Sequence, residues 1–434
     1  MKLSPAHLVR GRLNLPGDKS ISHRAALIAA LAEGPSEIAN FSTARDCAST
    51  LSCLQSLGIA IEQTSDKLKF AGKQRLATPR EPLDCGNSGS TMRILAGVLA
   101  GHDLTATLIG DESLSSRPMR RIIEPLELMG AQIDATDGKP PLTIRGAATA
   151  KAITYKLPVA SAQVKSAILF AGLKAAGTTT VIETFPSRDH TERLFNGFGV
   201  PVKTNDFAIE LEGPAQFTGG SITIPGDISS AAFFIAAAML LPGSDLVIEN
   251  VGLNPTRAAF VNVLRSWGAD ISETDFRMER NEPVGTIRVR GGVNSAPREV
   301  DRVLGGATIP ALIDELPLLA IVGTQIQGGM EIRDAAELRL KESDRLATTA
   351  RNLRAMGAEV EETPDGLRVV SSTRFDDGRK LHGATIDSFG DHRIAMAFSV
   401  AALIADGDTD IRGSEAAAVS FPEFFELLDS IVER

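Results

Sequence analysis

The sequence predicts an α/β protein of two similar lobes, each built from three βαβαββ-like repeats. Three observations carry this expectation. An apolar helix pattern rich in small residues and ending at Gly recurs at Ser20–Gly34, Ser90–Gly101, Ser161–Gly177, Ser229–Gly243, Asp314–Gly328 and Asp391–Gly407. Five copies are followed by a second helix pattern, a Gly and a short strand. Those closures are Leu57-Gly58-Ile59, Met129-Gly130-Ala131, Phe198-Gly199-Val200, Trp267-Gly268-Ala269 and Met356-Gly357-Ala358, while the sixth copy ends at Phe424–Val432. A phrase is also duplicated: Leu13-Asn14-Leu15-Pro16-Gly17-Asp18-Lys19-Ser20 and Ile222-Thr223-Ile224-Pro225-Gly226-Asp227-Ile228-Ser229.

Each element has a local reason. Alternation of period two before the Pro-Gly turn reads as a strand, and Asp or Ser before an apolar run reads as a helix start. The first helix of each copy is dense in Ala, as in Ala25-Ala26-Leu27-Ile28-Ala29-Ala30 and Ala236-Ala237-Ala238. Small residues allow close approach and burial on all sides, so these helices belong inside. The second helices carry polar faces (Arg120-Arg121, Arg351, Arg354) and belong outside. After each closing Gly, short alternating runs such as Leu142-Thr143-Ile144 and Ile287-Arg288-Val289 complete a hairpin. The lobe boundary falls near Gly226. Residues 1–17 plus 227–434 form lobe 1, residues 18–226 form lobe 2, and the active site is expected in the cleft between them.

Bulk properties narrow the function. At 434 residues the chain is too long for one simple core. A net charge of −9 argues against nucleic acid bound through bulk charge, so any anion must meet local basic clusters. No apolar run is long enough for a membrane span, and Met1-Lys2-Leu3-Ser4-Pro5 lacks the apolar segment of a secretory signal. Three cysteines (Cys47, Cys53, Cys85) make no disulfide framework; they read as small core residues in a cytoplasmic protein. The six histidines show no metal-ligand spacing, and no metal is expected.

Polar residues gather at the helix starts. They are Asp18-Lys19-Ser20-Ile21-Ser22-His23-Arg24, Asn87-Ser88-Gly89-Ser90-Thr91-Met92-Arg93, Ser161-Ala162-Gln163, Asp227, Asp314-Glu315 and Asp391-His392-Arg393. Ser115-Ser116-Arg117, Ser187-Arg188-Asp189-His190 and Lys341-Glu342-Ser343-Asp344-Arg345 join them from outer helices. Ser22, Ser90 and Asp227 read as ordinary caps. Lys and Arg sit at the unfavourable end of the helix dipole, so capping does not explain Lys19, Arg24, Arg93, Lys341, Arg345 and Arg393. An anionic ligand on free backbone N–H groups would. The Gly89 stretch lacks the Gly-Lys-Ser/Thr ending of a nucleotide-binding P-loop.

Five of these segments, in order, resemble the signatures of the 5-enolpyruvylshikimate-3-phosphate synthase (3-phosphoshikimate 1-carboxyvinyltransferase) family. They are Pro16–Arg24, Asn87–Arg93, Ser161-Ala162-Gln163, Lys341–Leu346 and Asp391–Met396, and the resemblance spans the chain. It implies the enolpyruvyl transferase fold, an inside-out α/β barrel in each lobe. It implies transfer of the enolpyruvyl group of phosphoenolpyruvate to the 5-hydroxyl of shikimate 3-phosphate, with release of phosphate, through a tetrahedral intermediate. That is a step of aromatic amino acid biosynthesis, run by a cytoplasmic monomer without a cofactor and targeted by glyphosate. By motif match, shikimate 3-phosphate is bound by Lys19, Ser20, Arg24, Ser161, Ala162, Gln163, Ser187, Arg188, Asp314 and Lys341. Phosphoenolpyruvate is bound by Lys19, Gly89, Arg117, Gln163, Arg345, His392 and Arg393. Asp314 is the base for the hydroxyl, Glu342 the proton donor to the methylene carbon, and Lys19 bridges the substrates. Lys341 and Arg345 flank Glu342 and lower its pKa, which opposes an acid role until bound anions neutralise them.

Departures from the family pattern are specific. Ala418-Val419-Ser420-Phe421 lacks the Lys of other members, Ile94 stands where Pro is frequent, and Ser161-Ala162-Gln163 replaces Ser-Ser-Gln. The segments Ser161–Ser166 and Arg188–Glu192 resemble the bacterial subclass that includes glyphosate-tolerant enzymes. Gly89 leaves room for that inhibitor, where Ala often accompanies tolerance. The sister family, UDP-N-acetylglucosamine enolpyruvyl transferase, shares the repeats and the donor but carries Lys-Asn at the position of Lys19-Ser20. A non-catalytic repeat scaffold for phosphorylated ligands would have no use for Asp314 and Glu342 beside Lys341.

Overall fold

A computed structural model describes residues 1–65, 67–72, 75–292, 302–370 and 381–434. Six helix pairs run along the chain. They are α1 (Lys19–Leu31) with α2 (Arg45–Ser56), α3 (Gly89–Ala100) with α4 (Arg120–Leu128), and α5 (Ala162–Gly172) with α6 (His190–Gly197). Then come α7 (Ile228–Leu240) with α8 (Ala259–Ser266), α9 (Leu316–Gly323) with α10 (Arg345–Ala355), and α11 (His392–Ile404) with α12 (Phe424–Ile431). The first member of each pair is buried nearly throughout. The second is amphipathic, with Arg120, Arg351 and Arg354 exposed. Among the described residues, no single helix is long and apolar enough to cross a membrane.

The chain divides into two compact units. The carboxy-terminal unit comprises Met1–Leu15, Gly226–Arg277 and Val284–Arg434, and the amino-terminal unit Pro16–Pro225 and Met278–Pro283. Each has its own hydrophobic core. Three sheets surround the inner helices of each unit, and one pattern recurs: a parallel pair followed by an antiparallel hairpin. In the amino-terminal unit the orders are 221–223, 36–39, 67–70, 61–63; then 83–84, 105–109, 139–145, 132–136; then 150–151, 175–182, 208–213, 202–205. The hairpins lie where the sequence puts them, after Gly58, Gly130, Gly199, Gly268 and Gly357. All five glycines have φ between 85° and 106°, the left-handed turn that ends a helix and that a side chain would strain.

Two strands depart from simple order. Leu8–Asn14 precedes α1, yet it pairs in parallel with Asp245–Gly252 of the carboxy-terminal unit, Arg10 opposite Asp245. Ser221–Thr223 precedes α7, yet it pairs in parallel with Ser36–Ala39 of the amino-terminal unit, Ile222 opposite Ile38. The duplicated phrase therefore marks the two places where the chain passes from one unit's sheet to the other unit's helix. Lys2–Leu3 supplies the antiparallel neighbour of Thr409–Arg412, the place a hairpin strand takes in the other sheets. Residues 278–283, at the tip of the hairpin formed by Asp270–Glu279 and Glu282–Arg290, group with the amino-terminal unit. The sequence reading had left them inside 227–434.

Three local readings are corrected. The third inner helix stops at Gly172, and Gly177 lies within the strand Ala175–Ile182. Ser88, not Ser90, caps α3, its side chain accepting from Thr91 N. Asp18 caps α1, and Ser22 lies inside that helix, where its Oγ accepts from Ser42 N at 3.0 Å. Asp227 does cap α7, accepting from Ser229 N. Cys47, Cys53 and Cys85 are buried free thiols.

Small residues set the spacing of the inner helices. A Cβ built on Gly97 of α3 would lie 2.1 Å from the Ala167 carbonyl oxygen of α5. That contact is backbone and has no rotamer by which to escape. Gly97→Ala is expected to separate the two helices and cost about 2 kcal/mol or more, as overpacked cores do. Urea unfolding monitored by circular dichroism checks this; an unchanged midpoint would contradict the close approach.

Candidate active site

In the amino-terminal unit, candidate residues line up along the starts of α1, α3 and α5. Lys19 opens α1, and its Nζ forms a 2.8 Å ion pair with Asp46 in the first turn of α2. Beneath it His23 Nδ1 meets Thr50 Oγ1 at 2.7 Å, Thr50 meets Thr91 Oγ1 at 2.8 Å, and Thr91 donates to Ser88 Oγ at 2.7 Å. Burial holds the His23 pKa down at about 3, so this imidazole is a neutral structural group. One turn along, Arg24 is buried. Its Nε donates to Thr191 Oγ1 (2.7 Å), Nη1 to Ser20 O (2.8 Å) and Nη2 to Ser166 Oγ (2.8 Å). Burial lowers its pKa to about 10, and it remains charged at neutral pH.

Gln163 joins α5 to α3. Its Oε1 accepts from Arg93 Nη1 at 2.7 Å, and its Nε2 donates to Ser90 Oγ at 2.9 Å. Ser161 caps α5, with Ala162 as its first residue. Gly89 opens α3, where a Cβ would lie 2.7 Å from Arg93 Nη1 and 3.5 Å from Arg117 Nη1. Arg117 donates from Nη2 to Asn87 Oδ1 (2.9 Å) and Ser113 Oγ (3.1 Å). The fold thus turns Gly89, Arg93, Arg117 and Gln163 into one patch. Ser187 and Arg188 lie on the segment between Ala175–Ile182 and α6, and Arg188 acts electrostatically on Arg24.

In the carboxy-terminal unit, one arginine organises the acidic residues. Arg345 is only 2% exposed. Its Nε donates to Asp391 Oδ2 (2.8 Å), Nη2 to Glu342 Oε2 (2.6 Å) and Asp391 Oδ1 (3.3 Å), and Nη1 to Asp314 Oδ1 (3.4 Å). Burial opposes its charge, but Asp391, Glu342 and Asp314 outweigh it and raise the pKa. Asp391 is fully enclosed; burial pushes its pKa up, while Arg345 and His392 prevail and hold it below the usual range. Its side chain also caps α11 by accepting from Arg393 N at 2.8 Å. A second chain of contacts runs beside this one. Arg257 Nη2 donates to Ser229 Oγ at 2.5 Å, Ser229 donates to Glu315, and Arg393 Nη1 reaches Glu315 Oε1 at 3.5 Å.

The sequence-predicted residues therefore separate by environment. Asp314, Glu342, Arg345, His392 and Arg393 fall on one continuous network, with Asp391 and Glu315 as its joints. The i,i+3 pair Glu342–Arg345 forms, but on a buried guanidinium rather than on a solvated face. Lys341 pairs with Glu337 at 3.7 Å, and Arg345 reaches Asp314 at 3.4 Å. Sequence reasoning gave no role to Asp46 or Arg257, and it noted Glu315, Lys165 and Thr191 only as members of the segments Asp314-Glu315, Ser161–Ser166 and Arg188–Glu192. For Lys165 the signal was a charge among the apolar residues of Val164-Lys165-Ser166-Ala167-Ile168.

In each unit the fold gathers charged side chains at helix starts. Residues 3–428 match the profile of EPSP synthase (3-phosphoshikimate 1-carboxyvinyltransferase). The chain belongs to the EPSP synthase family. A 3-phosphoshikimate 1-carboxyvinyltransferase of Koribacter versatilis is 50% identical over 440 residues, covering 100% of this chain and 99% of the relative. That of Bacillus licheniformis is 44% identical over 438 residues, covering both chains fully. The solved EPSP synthase of Acinetobacter baumannii superimposes with a TM-score of 0.86 at 40% identity, covering 99% of this chain and 98% of that one. This likeness places the repeat architecture read from the sequence in the EPSP synthase fold.

The Asp391–Arg345 pair gives the family site a measurable acid limit. Because the folded pKa of Asp391 is depressed, its contribution to stability is present above the unfolded value of about 3.9 and is lost as pH falls through the folded value. Asp391→Asn keeps a capping oxygen but leaves Arg345 with less compensation, at a cost of about 3 kcal/mol near neutral pH. Urea midpoints measured from pH 3 to 8 should converge for the two proteins at the acid end. A constant difference across that range would contradict the ion-pair account.

Proposed function

We propose that this chain is a 3-phosphoshikimate 1-carboxyvinyltransferase that transfers the enolpyruvyl group of phosphoenolpyruvate to the 5-hydroxyl of shikimate 3-phosphate. The observation that carries this reading is the enclosure of one arginine by Asp314, Glu342 and Asp391, on a chain whose family is established over residues 3–428. The product is an enolpyruvyl ether on the route to aromatic amino acids, and the cytoplasm is its natural setting. A monomer is the form proposed.

The reaction is an addition followed by an elimination. A proton adds to the methylene carbon of phosphoenolpyruvate, and the 5-hydroxyl oxygen bonds to the adjacent carbon, losing its own proton. The tetrahedral intermediate then loses a proton from the new methyl group and phosphate from the central carbon. Asp314 takes the hydroxyl proton, and Glu342 gives and later recovers the methyl proton. Lys19, Ser20, Arg24, Ser161, Ala162, Gln163, Ser187 and Arg188 hold shikimate 3-phosphate, with Asp314 and Lys341. Lys19, Gly89, Arg117, Gln163, Arg345, His392 and Arg393 hold phosphoenolpyruvate, the arginines by bidentate pairing.

Arg345 connects the proposed acid to the proposed phosphoenolpyruvate site. Glu342 accepts from Arg345 Nη2 at 2.6 Å. A substrate carboxylate arriving at that guanidinium competes for the same donor.

Mixing the protein with both substrates should release inorganic phosphate, and Asp314→Asn should lower kcat by about a thousandfold, within the range for removing a general base. Release with a UDP-sugar acceptor and none with shikimate 3-phosphate would overturn the reading. A second expectation concerns Gly89. Its replacement by Ala puts a methyl against Arg93, which holds Gln163, so the KM for phosphoenolpyruvate should rise and inhibition by glyphosate should weaken. Inhibition curves for both proteins check this; identical curves would refute the steric account.

A further inference from the structure

Lys165 on α5 is a buried cation that the mechanism above does not use. It is 1% exposed, and its Nζ lies 2.6 Å from Glu192 Oε1 and 3.1 Å from Glu183 Oε2. Burial works against its charge, but Glu192 and Glu183 prevail and raise its pKa, so the ammonium is retained. The two glutamates stand at opposite ends of one segment. Glu183 follows the strand Ala175–Ile182, and Glu192 sits in the first turn of α6.

Between them lie Ser187 and Arg188. Lys165 Nζ also donates to Ser187 O at 3.5 Å, and the Ser187 hydroxyl donates to Glu183. The neighbour of each partner is tied in as well. Ser166, next to Lys165, and Thr191, next to Glu192, share a 2.7 Å hydrogen bond, and both accept from Arg24. Arg188 is near enough to make charging Arg24 more costly, as a like charge does. Lys165 is matched by Glu183 and Glu192, and Arg24 and Arg188 bring further positive charge to the same cluster.

We propose that Lys165 is a positioning residue for shikimate 3-phosphate. By clamping Glu183 and Glu192 it holds both ends of the 183–192 segment and sets Ser187 and Arg188 beside Arg24. It touches no substrate. Replacing both members of a buried ion pair by uncharged side chains of similar size often costs little stability, whereas removing one leaves an uncompensated charge. Such a replacement would not hold the segment's two ends to one point. This inference rests on the functional reading above, including the assignment of Ser187 and Arg188 to shikimate 3-phosphate.

The test is steady-state kinetics with each substrate varied in turn. Lys165→Met combined with Glu192→Gln removes one charge of each sign. Its KM for shikimate 3-phosphate should rise about tenfold, with kcat and the KM for phosphoenolpyruvate within about twofold, the pattern of lost ground-state binding. Glu183→Gln, which leaves the Lys165–Glu192 pair intact, should give a smaller rise with the same selectivity, and it serves if the double variant fails to fold. A folded variant with an unchanged KM for shikimate 3-phosphate overturns the proposal, as does an equal rise in both KM values. If Arg188→Ala leaves that KM unchanged while the wild type turns over, the assignment of the segment fails and the proposal with it. A wild type that releases no phosphate from the two substrates overturns the functional reading itself.

Discussion

The structure depends on burying six helices on every side. Such a helix has no wet face on which to place a polar residue, so the polar residues of α1, α3, α5, α7, α9 and α11 collect at their starts. Close approach requires small side chains, as at Gly97 against the Ala167 carbonyl. It also brings the starts of neighbouring helices within reach of one another. Arg93 on α3 meets Gln163 on α5, and Ser229 on α7 meets Glu315 just before α9. Charged groups that would be expensive alone at a helix start find their partners on the next helix.

This arrangement gives the two units different electrostatic characters. In the amino-terminal unit Lys19 and Lys165 are paired with carboxylates, but two arginines are held by short polar side chains: Arg24 by Thr191 and Ser166, Arg117 by Asn87 and Ser113. Such partners orient a guanidinium without cancelling its charge, so it can still attract an anion. In the carboxy-terminal unit Arg345 is held by three carboxylates. On the proposed reading, a substrate carboxylate reaching that guanidinium would compete with Glu342, the group proposed to move a proton. Anion binding and acid–base chemistry are thus linked through one guanidinium.

Much of this was legible along the chain. The inner and outer helices, the five closing glycines and their hairpins follow from periodicity and turn chemistry that act over a few residues. Lys19, Arg345 and Arg393 stood out because a cation at a helix start has no local explanation. Lys165 and Glu315 lay within polar helix-start segments, but nothing near them along the chain named their partners. Their partners lie far along the chain: Glu183 is 18 residues from Lys165, and Ser229 is 86 from Glu315. The caps misread at Ser22 and Ser90 share this cause. Each has a helical neighbourhood that suits capping, but its side chain is taken by Ser42 N or by Gln163.

By itself the sequence determined the repeat, the order of helices and strands, the places where helices end and the residue types at each start. These are local properties, set by which faces are apolar and where the backbone must turn left-handed. Tertiary structure alone decided which strand pairs with which and which acid meets which base. Leu8–Asn14 and Ser221–Thr223 carry the same alternation and the same Pro-Gly turn, and nothing in that pattern says that each joins the sheet of the unit its next helix leaves. Alternation specifies a buried face without naming a neighbour. Nor does an aspartate before a helix say which arginine it holds besides capping: Asp227 caps α7 and pairs with Arg257 at 3.4 Å, while Asp391 caps α11 and holds Arg345, 46 residues away. Those choices are made by the packing of the whole core, because a buried charge is tolerated only where the fold delivers its counterpart.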